Sequence, residues 1–232
     1  MDVEIKVNFT GSQIDQAKSV FGLNRESKDR KIWFGEIVTG HDGRDALPLL
    51  ERGVILRVRA TKKTSGDVTL KLRGPDGGID AGAWDERTRS LTGETKLEGD
   101  WADRRLMSAS LTAKSDKAGR EDLEAGLPPI KSLMSTEQTD LARELLIPLD
   151  DVKLLGPITA HKWEHEHDGD VDAEEWSVGN LHFLEISVVA TADPEEAHQW
   201  LAQRALDGGL KFEEGQGPKT TLVLQHLARE VD

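Results

Sequence analysis

Residues 53–73 read GVILRVRATKKTSGDVTLKLR, and the architecture of the chain follows from how this stretch pairs. In its first half Val54, Leu56 and Val58 alternate with Ile55, Arg57 and Arg59. In its second half Val68, Leu70 and Leu72 alternate with Thr69, Lys71 and Arg73. Strand side chains project to opposite faces with a period of two, so this is a pair of strands joined by a short polar turn. Paired as a hairpin, the two strands place Arg57, Arg59, Lys71 and Arg73 on one side of a sheet. A solvated sheet face accounts for any one of these cations. As a set they are a local inversion of charge: seven Lys or Arg stand between Arg52 and Arg73 against one acid, Asp67, in a chain of formal net charge −13. Arginine forks beside lysine point charges suit an anion built of phosphates.

The 232 residues suffice to bury a core, and no linker divides them, so the reading is a single domain over residues 1–232. Asp plus Glu number 43 against 30 Lys plus Arg. That excess of acid argues against a nucleic-acid polymer as partner while leaving room for a small anion in a private basic pocket. Cysteine is absent, which excludes disulfides and thiolate metal sites. No run approaches the roughly 20 apolar residues of a membrane span, and no signal-peptide pattern is present. A cytoplasmic protein with no membrane partner is expected.

Outward from the hairpin, residues 2–9 alternate strictly, with Asp2, Glu4, Lys6 and Asn8 on one face and Val3, Ile5, Val7 and Phe9 on the other. Ser12 reads as the cap of a short helix reaching Gly22, with Ile14, Ala17 and Val20 inward. Residues 31–38 form a second strand. A turn and a short leucine-bearing helix fill residues 40–52, and residues 74–93, rich in Gly and Asp, read as loose. Two strands follow from Thr95, placing Glu98 with Asp100 and Ser108 with Ser110, Thr112 and Lys114. Residues 116–149 read as helical, with a capping box at Ser135 and Gln138, a stripe of Leu141, Leu145 and Leu146, and Pro148 as terminator. Strands are expected over residues 152–166 and 180–190 with an acidic turn, 168–175, between them. A helix capped by Asp193 and stopped by Gly208 and Gly209 comes next, and a final strand over residues 219–227. The class is α+β: about eight antiparallel strands with helices packed outside, where closure into a barrel removes exposed edges.

These residues resemble the CYTH superfamily, the triphosphate tunnel metalloenzymes. Its N-terminal E-x-E-x-K is met by Asp2-Val3-Glu4-Ile5-Lys6, with Asp for the first Glu. Its L-R-x-R and T-x-K are met by Leu56-Arg57-Val58-Arg59 and Thr69-Leu70-Lys71. An aromatic-Phe-Asp-Thr strand is replaced by Trp33-Phe34-Gly35-Glu36-Ile37, which keeps an acid and loses the Thr. Lys96-Leu97-Glu98-Gly99-Asp100, Ser108-Ala109-Ser110, Leu184-Glu185-Ile186-Ser187 and Pro218-Lys219-Thr220 are similar to the K-x-E-x-D, S-A-S, L-E-L-S and T-K-T of a bacterial branch. The likeness runs in order along nearly the whole chain.

The resemblance implies an eight-stranded antiparallel closed barrel, a tunnel whose inward side chains are charged. It implies Mg²⁺ or Mn²⁺ held by Asp2, Glu4, Glu98, Asp100 and Glu185. Phosphate oxygens would be held by Lys6, Arg57, Arg59, Lys71, Arg73, Lys114, Lys162 and Lys219, with Lys6, Lys71 and Glu4 catalytic. Hard divalent cations take carboxylate oxygens plus substrate phosphates, which fits that division. The implied activity is hydrolysis of a triphosphate compound, whether inorganic triphosphate or polyphosphate, a nucleoside triphosphate or thiamine triphosphate. An adenylate cyclase on the same scaffold and a non-catalytic polyphosphate-binding module are the alternatives, and a homodimer is compatible with the family. Two other signals are weaker. His161, His165 and His167 beside acids could bind zinc, and the acidic run could bind calcium, though it lacks EF-hand spacing. A solvated hairpin tip explains both more simply.

Overall fold

The structure, a computed structural model, describes residues 1–23, 27–39, 47–75, 78–102, 104–166, 171–211 and 219–230. Its strands are β1 (Val3–Thr10), β2 (Lys28–Glu36), β3 (Val54–Ala60), β4 (Gly66–Pro75), β5 (Glu94–Trp101), β6 (Arg105–Ser115), β7 (Lys153–Glu166), β8 (Val171–Val178) and β9 (Leu181–Ala190). Its α-helices are α1 (Gln13–Val20), α2 (Pro48–Glu51), α3 (Ala81–Thr88), α4 (Arg120–Ala125), α5 (Thr136–Glu144), α6 (Pro194–Asp207) and α7 (Lys219–Ala228). The strands close into one barrel in the order β1-β5-β6-β4-β3-β2-β7-β8-β9. Neighbours are antiparallel except β1 and β5, which run parallel with Glu4 opposite Asp100.

The expected eight antiparallel strands are thus corrected to nine with one parallel pair. The strand missed is β8. Its acids read as a solvated turn, yet they alternate: Asp172 and Glu174 face the barrel interior, while Glu175 faces out to Lys18 Nζ at 2.8 Å and His182 Nε2 at 2.6 Å. Of the acidic run, residues 168–170 lie outside the described residues, as do residues 40–46, His167, Pro218 and the side chain of His165.

The hairpin forms in the expected register, Ile55 opposite Lys71, Arg57 opposite Thr69 and Arg59 opposite Asp67. Gly53 anchors its base with φ +71°, and its carbonyl accepts from the Arg73 amide at 2.7 Å. A β-carbon there would lie 2.0 Å from the Arg73 carbonyl oxygen, so the close approach demands glycine. The outer faces of β3, β4 and β6 bury Leu56, Val58, Val68, Leu70 and Leu111 under Trp84 of α3, Leu123 of α4 and Leu141 of α5. On the other side Ile5, Phe9, Leu184 and Ile186 pack against α1 and α6. Each such side chain contributes roughly 1.5–3 kcal/mol when taken out of water.

Local expectations meet mixed outcomes, each with a physical reason. The capping box of α5 is present, with Ser135 Oγ accepting from the Gln138 amide and Gln138 Oε1 accepting from the Ser135 amide. That helix stops at Glu144, short of Pro148, because Leu146 turns into the left-handed region at φ 53°, and it stands 80% exposed instead of joining the stripe. Ser12 occupies the cap position of α1 without a side-chain bond. The stretch expected to be loose contains α3, capped by Asp80. Glu36, the acid kept in the altered family strand, is 0% exposed and outside the cavity lining; it accepts from the amides of Ile37, Leu49 and Leu50. Burial pushes its carboxyl up, and those hydrogen bonds only partly offset the rise.

The largest correction concerns the C-terminal segment. Residues 219–227 form helix α7, not a strand. Thr220, Thr221 and Val223 favour a strand locally, but Val223, Leu224, Leu227 and Ala228 make one helical face that is buried. That face packs with Ile32, Phe34, Trp176 and Phe183, residues of the inward-facing set of β2, β8 and β9. Helix α7 therefore fills one end of the barrel, where all helices were expected outside.

Candidate active site

The barrel interior holds a cavity of about 420 Å³ to which every strand contributes, together with Lys219 and Thr220 of α7. Its wall carries ten Lys and Arg against seven Asp and Glu. The chain as a whole carries the reverse excess. A multivalent anion entering the cavity would meet an excess of positive charge inside a low-dielectric wall.

Two groups of ion pairs line it. In the first, the Lys6 ammonium of β1 lies 2.7 Å from Glu4 and 3.2 Å from Asp100. From β4, Arg73 reaches Asp100 at 2.6 Å, and Lys71 reaches Glu98 at 3.2 Å and Asp100 at 3.6 Å. Strand alternation brings these together: Lys6, Lys71, Arg73, Glu98 and Asp100 are inward positions of β1, β4 and β5, with β6 lying between β5 and β4. In the second group, Lys219 lies 2.9 Å from Glu185, 3.1 Å from Glu174 and 4.1 Å from the centre of the Trp176 ring. Arg30 approaches Glu174 at 4.0 Å, and Lys162 approaches Asp172 at 3.6 Å. Between the groups, Arg59 pairs with Asp67 at 3.1 Å, and Arg57 meets the Thr69 hydroxyl at 3.4 Å.

The pairs set the protonation states. Burial alone would raise Glu4 and Asp100, but the cations around them, Lys6 first, hold both below their ordinary values. Glu174 is likewise driven down to about 2 against its burial, chiefly by Lys219 and Arg57. Burial opposes the charge on Lys6 and Lys219, yet neighbouring carboxylates, Glu4 and Glu185 foremost, push both upward. Lys71 goes the other way: burial and then the Lys6 charge pull it down, and Asp100 and Glu98 do not restore it.

Most residues singled out in the sequence meet in this cavity: Glu4, Lys6, Arg57, Arg59, Lys71, Arg73, Glu98, Asp100, Lys162, Glu185 and Lys219. Two do not. Asp2 is exposed ahead of β1, and Lys114 is exposed near the end of β6; neither lines the cavity. Reading the sequence also missed Arg30, Asp172, Glu174 and Trp176. Arg30 shares the parity of Ile32 and Phe34 and would have been found by starting β2 three residues earlier. Asp172 and Glu174 were hidden in the supposed turn. Among the described residues no group of three His, Cys, Asp or Glu is placed to hold a metal ion. His161 of the supposed zinc motif pairs with Asp29 at 2.8 Å instead.

No known protein-family model and no curated protein sequence matches the chain. Solved structures do. A Bacillus halodurans candidate adenylate cyclase is 16% identical with a TM-score of 0.61 and coverage of 96% of both chains. A Hippeastrum candidate adenylyl cyclase described as having a dominant triphosphatase activity is 14% identical, with a TM-score of 0.64 over 97% of this chain and 96% of that one. The likeness spans nearly the whole chain. At these identities it establishes the class of fold.

Proposed function

We propose that this chain is a triphosphate tunnel hydrolase that cleaves a triphosphate-containing compound inside the barrel. The observation that carries this reading is the sign of the cavity: a net-cationic interior in a strongly acidic chain. The fold shared with the Hippeastrum protein and its described triphosphatase activity support the same class of reaction.

In this reading Lys6, Lys71 and Arg73 bind the oxygens of the phosphate chain and stabilise the charge that develops on the leaving phosphate, an electrostatic role that needs no covalent step. Water forms the new bond to the terminal phosphorus, the bridging P–O bond breaks, and one proton is released. Lys6 stays protonated throughout, since its carboxylate neighbours favour the charged form. Lys71, with its depressed proton affinity, is the cation best suited to give a proton to the departing oxygen, and it regains one from solvent, which takes up the proton the attacking water loses.

Glu4, Glu98 and Asp100 are hard oxygen donors, the type Mg²⁺ and Mn²⁺ take, and they already surround an ammonium, that of Lys6 or of Lys71. As placed these three do not converge on one point, so holding an ion would require them to turn from Lys6 and Lys71 towards it. An ion so held would supply charge withdrawal from the phosphoryl oxygens. Glu185 belongs to the second group of pairs, with Lys219 and away from these three, and Asp2 lies outside the cavity.

The test is product analysis with the purified protein and Mg²⁺ or Mn²⁺ on inorganic triphosphate, ATP and thiamine triphosphate. The reading expects orthophosphate plus the corresponding diphosphate. Cyclic AMP and pyrophosphate from ATP would replace it with the cyclase reading; binding without turnover would replace it with a sensor.

A further inference from the structure

We propose that Trp101 is a positioning residue: gripped on the outer wall of the barrel, it holds the β1–β5 seam shut and so keeps Asp100 among its cations inside. The link to turnover rests on the hydrolase reading above; the brace itself rests on the packing around the seam. Among the described residues that seam is the shortest pairing in the barrel. It has three register pairs, Val3 with Gly99, Glu4 with Asp100 and Ile5 with Trp101, where every other neighbouring pair of strands has at least five. Glu4 and Asp100, the two acids that share the Lys6 ammonium, face each other across it. Trp101 is its last residue on β5, beyond which the chain turns back into β6 with Arg105 opposite Trp101.

Two partners hold the Trp101 ring. His198 of α6 stacks on it with 4.4 Å between ring centres and 3° between planes, and the Arg105 guanidinium lies 4.1 Å from the ring centre. Arg105 also pairs with Glu195, which stands three residues before His198 on the same face of α6. That helix is a fixed post: Leu201 and Ala205 are 0% exposed in the cluster of Ile5 and Phe9, and Asp193 accepts from the amides of Glu195 and Glu196. An exposed ion pair such as Arg105–Glu195 is worth little alone, so the stacked ring and the cation beside it carry the grip. Neighbouring strand residues point to opposite faces, so an outward Trp101 held in place sets the inward carboxylate of Asp100. There Asp100 meets Arg73 at 2.6 Å, Lys6 at 3.2 Å and Lys71 at 3.6 Å. Released, the end of β5 would draw Asp100 away from them. The three cations would then be freer for an anion, while the arrangement that serves the reaction is lost.

The experiment compares the wild type with Trp101→Leu, Trp101→Phe, Asp100→Asn and the double variant of Trp101→Leu with Asp100→Asn. Phosphate release from inorganic triphosphate in Mg²⁺ and calorimetric titration of triphosphate in EDTA are measured on each. Circular dichroism checks each fold, and His198→Leu, which removes the stack from α6, carries the test if Trp101→Leu does not fold. Trp101→Leu should lower kcat about tenfold, since small misplacements are costly at a reacting centre. It should also tighten triphosphate binding in EDTA about threefold, because Asp100 no longer competes for the same cations. Trp101→Phe, which keeps a ring for His198 and Arg105, should stay near wild type. With Asp100→Asn already present, Trp101→Leu should change neither quantity further, as there is no carboxylate left to position. An equal loss of turnover in the Asp100→Asn background would overturn the brace and leave the hydrolase reading intact. So would affinity and turnover falling together, or unchanged values in folded Trp101→Leu. Wild type that binds triphosphate without releasing phosphate removes the hydrolase reading alone, and the affinities then decide the brace. No binding and no release removes both.

Discussion

Replacing Asp100 with Asn deletes the negative charge that three cations share. Asp100 is 5% exposed and lies within 4.0 Å of Lys6, Lys71 and Arg73. After the change Lys6 keeps Glu4 and Lys71 keeps Glu98, but Arg73 has no other carboxylate within that distance among the described residues. Removing one partner of a buried ion pair costs about 3–5 kcal/mol, because an uncompensated charge stays behind. The cavity admits some solvent and Asn retains an accepting oxygen, so the low end, about 3 kcal/mol, applies. With a urea m-value of about 3 kcal/mol per molar, the unfolding midpoint of Asp100→Asn should fall by about 1 M. Inorganic triphosphate in EDTA should then raise the midpoint of the variant more than that of the wild type, since the same cations receive the anion with one acid fewer to displace. Urea titrations followed by tryptophan fluorescence, with and without triphosphate, measure both effects. A variant as stable as the wild type without ligand would refute the claim that Asp100 compensates this cluster.

Glu4→Gln should fold normally and lose metal-dependent phosphate release by roughly 100-fold, as for removal of one electrostatic element of a site, read from turnover alongside circular dichroism. Because burial and Lys6 depress Lys71, its proton leaves below the ordinary 10.5, so kcat/KM should decline on the alkaline side below that pH; Lys71→Arg, permanently charged, should move the limb upward, and an unmoved limb would assign it elsewhere. The depressed carboxyls of Glu4, Asp100 and Glu174 contribute stability that is present above their unfolded values near 4 and is lost as pH falls through the folded ones, about 2 for Glu174. Urea midpoints should therefore drop from pH 5 towards pH 2, and a flat profile would contradict the pairings. Gln138→Leu should cost about 2–3 kcal/mol with turnover unchanged, since the buried carboxamide donates to the Val68 and Leu111 carbonyls at 2.7 and 3.0 Å.

The barrel and most of its inner wall were legible in the sequence because a period of two assigns every second residue of a strand to one face. That rule put Lys71 with Arg73 and Glu98 with Asp100 on single strand faces, and the family resemblance turned those faces and that of Lys6 towards one interior. It failed where composition imitated something else. Acids in β8 looked solvated because their partners, Lys219, Lys162 and Arg30, are distant in sequence. In α7 the β-branched residues pointed to a strand, while the deciding fact, an apolar barrel end to fill, is tertiary. Lys219 was nevertheless singled out by the resemblance of its motif, and the first turn of α7 delivers it to the same interior. The parallel meeting of β1 and β5 follows from barrel closure and leaves no local trace.

The most direct measurement of the central claim is orthophosphate release from inorganic triphosphate by the wild-type protein in Mg²⁺ or Mn²⁺, beside Lys71→Ala and an EDTA control. The account predicts metal-dependent release by the wild type that is largely lost in a folded Lys71→Ala. Equal release by the two proteins, or none by the wild type with any of the three triphosphates, would contradict it.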